Sequence, residues 1–340
     1  MNNPLKFSIV SIFILYSFLA QAVRQEDLSI AWGLQIFPFF QQGQEITFLN
    51  KNNLKIQAKY FKRDGAKGSI VILPGRTVSA LQYSETIYDF YERGYSVLIM
   101  DHQGQGDSDR YYNDTRGHVI QFMDYVEDLE TLIESHLPED LQKPLFLVGH
   151  SMGGAVAAIY HSKHPRVFNK VALVAPMIRV RYTGVTFVDQ GLIPAVINSM
   201  NRTSMRNNPI RFYIETKPVF SKSNIKTNSP ERYSQLMVKI PSLFPHIIVK
   251  APTWHWLKEA SSVVRILKDY PQTLPTRSFL LVQAGNDKVV SNKAQKVFCH
   301  SDKVNCEIEN LQNTKHELFF EKDEHRERLF DLIENYFKLD

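Results

Sequence analysis

The residues Gly149-His150-Ser151-Met152-Gly153-Gly154 place a serine between glycines, directly after an apolar run that ends at Val148 and directly before the small-residue stretch Ala155-Val156-Ala157-Ala158-Ile159. A G-x-S-x-G segment between a strand and a helix puts the serine on a sharp turn where its hydroxyl is exposed, and the glycines remove side chains that would collide there. A hydroxyl attacks a carbonyl carbon only when a base takes its proton, so a histidine held by a carboxylate is required elsewhere. Asp287 stands in the turn Ala284-Gly285-Asn286-Asp287-Lys288, after the apolar run Phe279–Val282, and His316 follows in Thr314-Lys315-His316-Glu317. The rival acid position, after Val171–Val174, holds Ala175-Pro176 and no carboxylate. Of the eleven histidines, His325 lies within the charged pattern Glu321-Lys322-Asp323-Glu324-His325-Arg326 and reads as a helix-surface residue. His161 and His164 have helical i, i+3 spacing but no carboxylate partners in sequence, so no metal site is expected. The chemistry expected of Ser151, Asp287 and His316 is acyl transfer, which needs no cofactor. Its oxyanion requires two N–H donors: the backbone of Met152, after the serine, and that of Arg76 in Leu73-Pro74-Gly75-Arg76.

The elements that must position these residues read as an α/β fold. Ile46–Leu49 and Leu54–Tyr60 alternate in polarity around Asn50-Lys51-Asn52-Asn53, which predicts an antiparallel hairpin. Apolar runs at 69–73, 96–100, 145–148, 171–174 and 279–282 are apolar on both faces, as buried parallel strands are, and a last strand is expected near 304–309. Val119, Phe122, Val126, Leu129 and Ile133 recur at three-to-four spacing and predict a crossover helix. The result is a wound, mostly parallel sheet led by an antiparallel hairpin. From Arg179 to Thr273 the rhythm lapses, so 179–273 is read as an inserted cap, with the core formed by 23–178 and 274–340.

The chain of 340 residues is 44% hydrophobic and 22% charged, which excludes disorder and a multi-span membrane protein. Its net charge of +5 is too mild to imply a nucleic-acid partner. The charge is uneven: residues 179–273 carry fourteen Lys and Arg against five Asp and Glu, or +9, and the remainder is therefore 5 − 9 = −4. Such a basic segment is either a solvated face or, because Phe212, Tyr213, Phe220, Phe244, Trp254 and Trp256 are interleaved with the cations, a face for an anionic membrane surface. Residues 1–22 contain an apolar run, Phe7–Ala20, and the small-x-small end Ala20-Gln21-Ala22. Fourteen residues reach about 21 Å as a helix, short of a ~30 Å hydrocarbon core, so an export signal cut after Ala22 is expected ahead of an uncleaved anchor. Export would place the protein in the periplasm or peripheral to the inner membrane. The two cysteines, Cys299 and Cys306, either pair in an oxidising compartment or remain reduced thiols; seven residues of separation permit both.

At these residues the chain resembles the monoacylglycerol-lipase-like branch of the α/β-hydrolases, and within it the bacterial inner-membrane lysophospholipases. The resemblance runs over about residues 45–338 and is carried by Leu73-Pro74-Gly75-Arg76, Asp101-His102-Gln103-Gly104-Gln105-Gly106-Asp107-Ser108, the serine motif, Ala251-Pro252-Thr253-Trp254-His255-Trp256-Leu257, Asp287 and His316. Gln103 departs from the family pattern, where arginine is common. The resemblance implies an α/β-hydrolase fold and hydrolysis of the acyl ester of a lysophospholipid, with Trp254 and Trp256 in substrate binding. A monoacylglycerol lipase or general carboxylesterase would share every catalytic residue. A binding module that kept the fold without catalysis is the alternative of a different class.

Overall fold

The computed structural model describes residues 23–181, 189–210, 217–269, 279–301 and 304–339. The leader expected at 1–22 lies outside the described residues, and among those described no helix is long and apolar enough to cross a membrane.

Among the described residues, nine strands form one sheet: β1 Gln44–Leu49, β2 Lys55–Phe61, β3 Ser69–Leu73, β4 Ser96–Met100, β5 Leu145–His150, β6 Lys170–Val174, β7 Phe279–Ala284, β8 His300–Ser301 and β9 Val304–Leu311, in the order β1-β2-β4-β3-β5-β6-β7-β9-β8. The six strands from β4 to β9 in that order are parallel, β1 and β2 form the antiparallel hairpin, and β8 is a short antiparallel edge. The expected strands thus appear within two residues of their predicted ends, and the crossover helix spans Met123–Ser135. Every residue of β3, β4, β5 and β7 is buried, because both faces of the sheet are covered.

Alternation along each strand divides the core in two. Val71, Leu98, Leu147 and Leu173 face the helices Met123–Ser135 and Met152–Lys163. Ile72, Ile99, Val148 and Val174 face Ser84–Glu92 and the C-terminal helix Asp323–Phe337. A helical stretch over 28–41 joins the second layer, burying Leu28, Trp32, Ile36 and Phe40 at every fourth position. The stretch 179–273 lies between β6 and β7, and its described parts enter both layers: Trp256 and Ala260 pack in the first, Tyr233, Leu236 and Ile240 in the second. It is woven into the core as well as laid over it. Cys299 and Cys306 are bridged, tying the end of helix Asn292–Cys299 to β9.

Candidate active site

Ser151 sits between β5 and the helix Met152–Lys163 with φ 51° and ψ −113°, a backbone state that ordinary side chains avoid. The turn is held by Ser151 N–H donating to Val174 O at 3.0 Å and by Met177 N–H donating to Ser151 O at 2.8 Å. Its tightness explains the flanking glycines: a Cβ on Gly153 would stand 2.1 Å from Leu73 O, and one on Gly149 would stand 2.5 Å from Gly153 O.

Asp287 and His316 come to this serine from the loops after β7 and β9. His316 Nε2 lies 2.8 Å from Ser151 Oγ, and His316 Nδ1 lies 2.8 Å from Asp287 Oδ2. Asp287 Oδ1 accepts the N–H groups of Val289 and Val290 at 2.7 and 2.9 Å. Burial acts to raise the Asp287 carboxyl, but the facing His316 ring and these backbone donors outweigh it and hold the group below its ordinary value. The group is therefore an anion at neutral pH. Arg181 donates to the Asp287 carbonyl at 2.6 Å, fixing the turn from the far side. His325 lies on the C-terminal helix, half buried, with Nε2 3.4 Å from Glu324.

Met152 is the first residue of its helix, where backbone N–H groups have no acceptor within the helix. The Pro74–Thr77 loop passes over the serine: a Cβ on Gly75 would lie 3.3 Å from Ser151 Cβ. Gln105 holds this loop, accepting from Thr77 N–H at 3.0 Å and donating to Gly75 O at 3.2 Å. Asp101 in turn accepts from Ala80 N–H at 2.7 Å and Asp107 N–H at 3.0 Å, so the Asp101–Ser108 motif is a brace for the loop of Gly75 and Arg76. Gln103, the departure from pattern, is buried and donates to Asp128 at 2.6 Å, away from the serine.

The two tryptophans differ in burial. Trp256 is 4% exposed, donates Nε1–H to Tyr125 at 3.0 Å and lies under the Arg76 guanidinium, 4.9 Å from its ring centroid. It supports the Arg76 loop and offers no open face to a ligand. Trp254 is partly buried at the rim of the first core layer. Three groups were missed at sequence level. His150 Nε2 lies 3.1 Å from the His316 carbonyl oxygen, and Glu317, 2% exposed, pairs with Lys226 of the insertion at 3.1 Å. Neighbourhood to Ser151 and His316 was the only sequence signal for His150 and Glu317, and Lys226 had none.

A strained serine, an imidazole bridging it to a buried carboxylate, and a helix N-terminus beneath the serine can activate the hydroxyl and stabilise a tetrahedral oxyanion. The family described as "Serine aminopeptidase, S33" matches residues 64–323. Lysophospholipase L2 of Escherichia coli strain K12 is 29% identical over 316 residues, covering 88% of this chain and 88% of that protein. The probable lysophospholipase L2 of Haemophilus influenzae is 26% identical over 310 residues, covering 89% and 94%. Among solved structures, a soluble variant of monoglyceride lipase from Saccharomyces cerevisiae aligns with a TM-score of 0.66 at 16% identity, over 87% of this chain and 96% of that one. A carboxyl esterase from Bacillus coagulans aligns at 0.63 and 18% identity, over 86% and 98%.

Proposed function

The chain belongs to the serine aminopeptidase S33 family, and we propose that within it this protein is a lysophospholipase, hydrolysing the single acyl ester of a lysophospholipid to a fatty acid and a glycerophosphodiester. The observation that carries the proposal is the unbroken run of contacts Ser151–His316–Asp287 on the strained turn. Similarity over 88% of a protein named lysophospholipase L2 and 94% of one named probable lysophospholipase L2 supports ester over peptide as the substrate.

In the mechanism, His316 Nε2 takes the Ser151 proton as Oγ attacks the ester carbonyl, while Asp287 holds the proton on Nδ1. The backbone N–H groups of Met152 and Arg76 receive the oxyanion. His316 then gives its proton to the departing glycerol oxygen, leaving an acyl-serine. Water, deprotonated by the same imidazole, attacks that acyl group, and the proton returns to Ser151 Oγ as the fatty acid leaves.

The basic insertion is assigned to approach of anionic lipid surfaces, and the Cys299–Cys306 bridge suits the oxidising compartment that export through a cleaved leader would reach. Intact mass of the mature protein tests cleavage after Ala22; Met1 still attached in the membrane fraction would replace export by anchoring. For the activity, a fluorophosphonate should label the wild type and not Ser151→Ala, and a panel of lysophospholipids, monoacylglycerols and diacyl phospholipids should show lysophospholipid turned over fastest. Labelling with turnover of monoacylglycerol alone would establish the monoacylglycerol lipase reading instead. Absence of both labelling and turnover would leave a binding module of the same fold.

A further inference from the structure

The insertion grips the loop that carries His316. The Lys226 carbonyl accepts Glu317 N–H at 2.8 Å, Thr227 Oγ1 donates to Phe320 O at 2.6 Å, and Asn228 Nδ2 donates to Asn313 O at 2.8 Å. At the centre of this seam Lys226 Nζ lies 3.1 Å from Glu317 Oε1, and the two side chains are 15% and 3% exposed. The other carboxylate oxygen, Oε2, is 3.6 Å from His150 Nδ1. Since a carbonyl oxygen only accepts, His150 Nε2 carries the proton that it shares with His316 O at 3.1 Å. Nδ1 is then a bare acceptor that makes no hydrogen bond to Oε2, so what the Lys226–Glu317 pair brings to the residue between Ser151 and Asp287 is its charge.

We propose that Lys226 and Glu317 are positioning residues for the reaction: the insertion supplies a cation that neutralises a carboxylate buried behind His316, and so sets the basicity of that imidazole. This rests on the reading of His316 as the general base.

The groups facing His316 are few enough to follow the charge. Asp287 holds Nδ1, Ser151 meets Nε2, and His150 reaches the carbonyl. Lys315 turns away to Lys222 O at 2.9 Å, and Arg181 is spent on the Asp287 carbonyl. Burial acts to raise the Glu317 carboxyl, but Lys226, His150 and His316 outweigh it and hold the group below its ordinary value. Burial pushes His150 down to about 4, so it is neutral where the enzyme would work. Among the described residues, the charges that remain beside the base are the Asp287 anion and the pair Lys226–Glu317, and removing either member of the pair unbalances the site with opposite sign.

The test is the pH dependence of kcat/KM on a short soluble ester, whose acidic limb reports protonation of the base. In Lys226→Met the unneutralised Glu317 favours the imidazolium, and the limb moves to higher pH. In Glu317→Gln the remaining ammonium disfavours it, and the limb moves to lower pH. Each shift is expected to be on the order of half to one pH unit for a charge partly screened in a protein interior. The double variant, neutral again, and Lys226→Arg should keep the limb near its wild-type position. A merely structural pair would lower kcat in both single variants without opposed movements. Limbs that stay in place, or move the same way, overturn the proposal. If Glu317→Gln does not fold, Lys226→Met against Lys226→Arg still carries the sign, because the Lys226 side chain is the more exposed of the two. His316→Ala separates the two readings: an active His316→Ala refutes the base itself, whereas an inactive one beside unmoved limbs refutes only the role of the pair.

Discussion

Replacing Asp287 by asparagine changes one atom and should nearly abolish turnover, for a reason set by its hydrogen bonds. Oδ1 accepts two backbone donors, Val289 N–H at 2.7 Å and Val290 N–H at 2.9 Å, while Oδ2 faces His316 Nδ1 at 2.8 Å. The asparagine amide has two orientations. Turning its NH2 toward Val289 and Val290 would leave buried donors against donors, at about 1–3 kcal/mol for each unmade bond. Turning its NH2 toward His316 costs far less, because the imidazole can change tautomer. Nδ1 then becomes the acceptor, Nε2 carries the proton, and the ring points a donor at Ser151 Oγ where a base is needed. The loss expected for a wrongly tautomerised histidine in such a triad is about 10⁴-fold in kcat, or ~5.4 kcal/mol of barrier. The assay is kcat on a soluble p-nitrophenyl ester together with a thermal melt, and the melting midpoint should stay essentially unchanged. A kcat within about tenfold of wild type would refute the tautomer argument and Asp287 as the group that imposes it. Loss of activity together with a lowered midpoint would show collapse of the turn instead.

Arg232→Met strips the guanidinium that lies 2.9 Å from Glu85 and 2.8 Å from Asp323, leaving the buried Glu85 carboxylate only Arg326, 3.5 Å away and shared with Asp89. The expected cost is about 3–5 kcal/mol; for 340 residues unfolding at about 0.7 kcal/mol/K, calorimetry should show the midpoint lowered by about 4–7 °C, and an unmoved midpoint would refute it. His161, buried against the Phe279 ring, is pushed down to about 4 by burial, so its contribution to stability is present above an unfolded value of ~6.5 and is lost as pH falls toward 4. Urea titrations at pH 7 and pH 5 should give a difference in unfolding free energy about 2 kcal/mol smaller in His161→Leu than in wild type, and equal differences would show that this ring is not held neutral. Reversing the exposed Arg202 and Arg206 to Glu should weaken binding to anionic vesicles and reduce its salt dependence, at about 1 kcal/mol for each cation near the surface, while soluble-ester turnover changes little. Vesicle binding insensitive to salt would leave the cations as a solvated face.

The parallel strands were legible because each is a short run apolar on both faces and bounded by turn residues, and β3 and β4 begin and end where the runs do. Ser151, Asp287 and His316 were legible for a local reason as well: each stands just beyond a strand, where the fold delivers side chains to one edge of the sheet. The helical stretch over 28–41 is hard to see in the sequence although Leu28, Trp32, Ile36 and Phe40 repeat every four residues, because Gly33 and Pro38 interrupt it and it follows the apolar run 7–20. Nothing local marks Lys226 as the partner of Glu317, which is 91 residues away, or Arg232 as the partner of Glu85, at 147. Ion pairs at that separation are chosen by tertiary packing, and sequence pattern carries no record of it.

The same limit bears on the reading of charge. A surplus of +9 on residues 179–273 against −4 elsewhere looks like a segment built to meet something outside the protein, yet part of it answers acids of the core. Arg232 reaches Glu85 and Asp323, and Lys226 reaches Glu317, so these cations are spent on holding the insertion down. A second seam runs along 248–253: Lys250 N–H donates to Thr115 O at 2.7 Å, Thr253 N–H to Gly117 O at 2.9 Å, and Arg110 to Ile248 O at 2.7 Å. Arg76 joins it by donating to Lys250 O while its guanidinium covers Trp256. One seam thus ends at the loop of His316 and the other at the loop of Arg76, so the insertion meets the base and the oxyanion side of the proposed site at once. Lifting it as a rigid lid would strip contacts from both loops together with a buried partner of Glu85. The insertion is better understood as part of the frame that assembles the site.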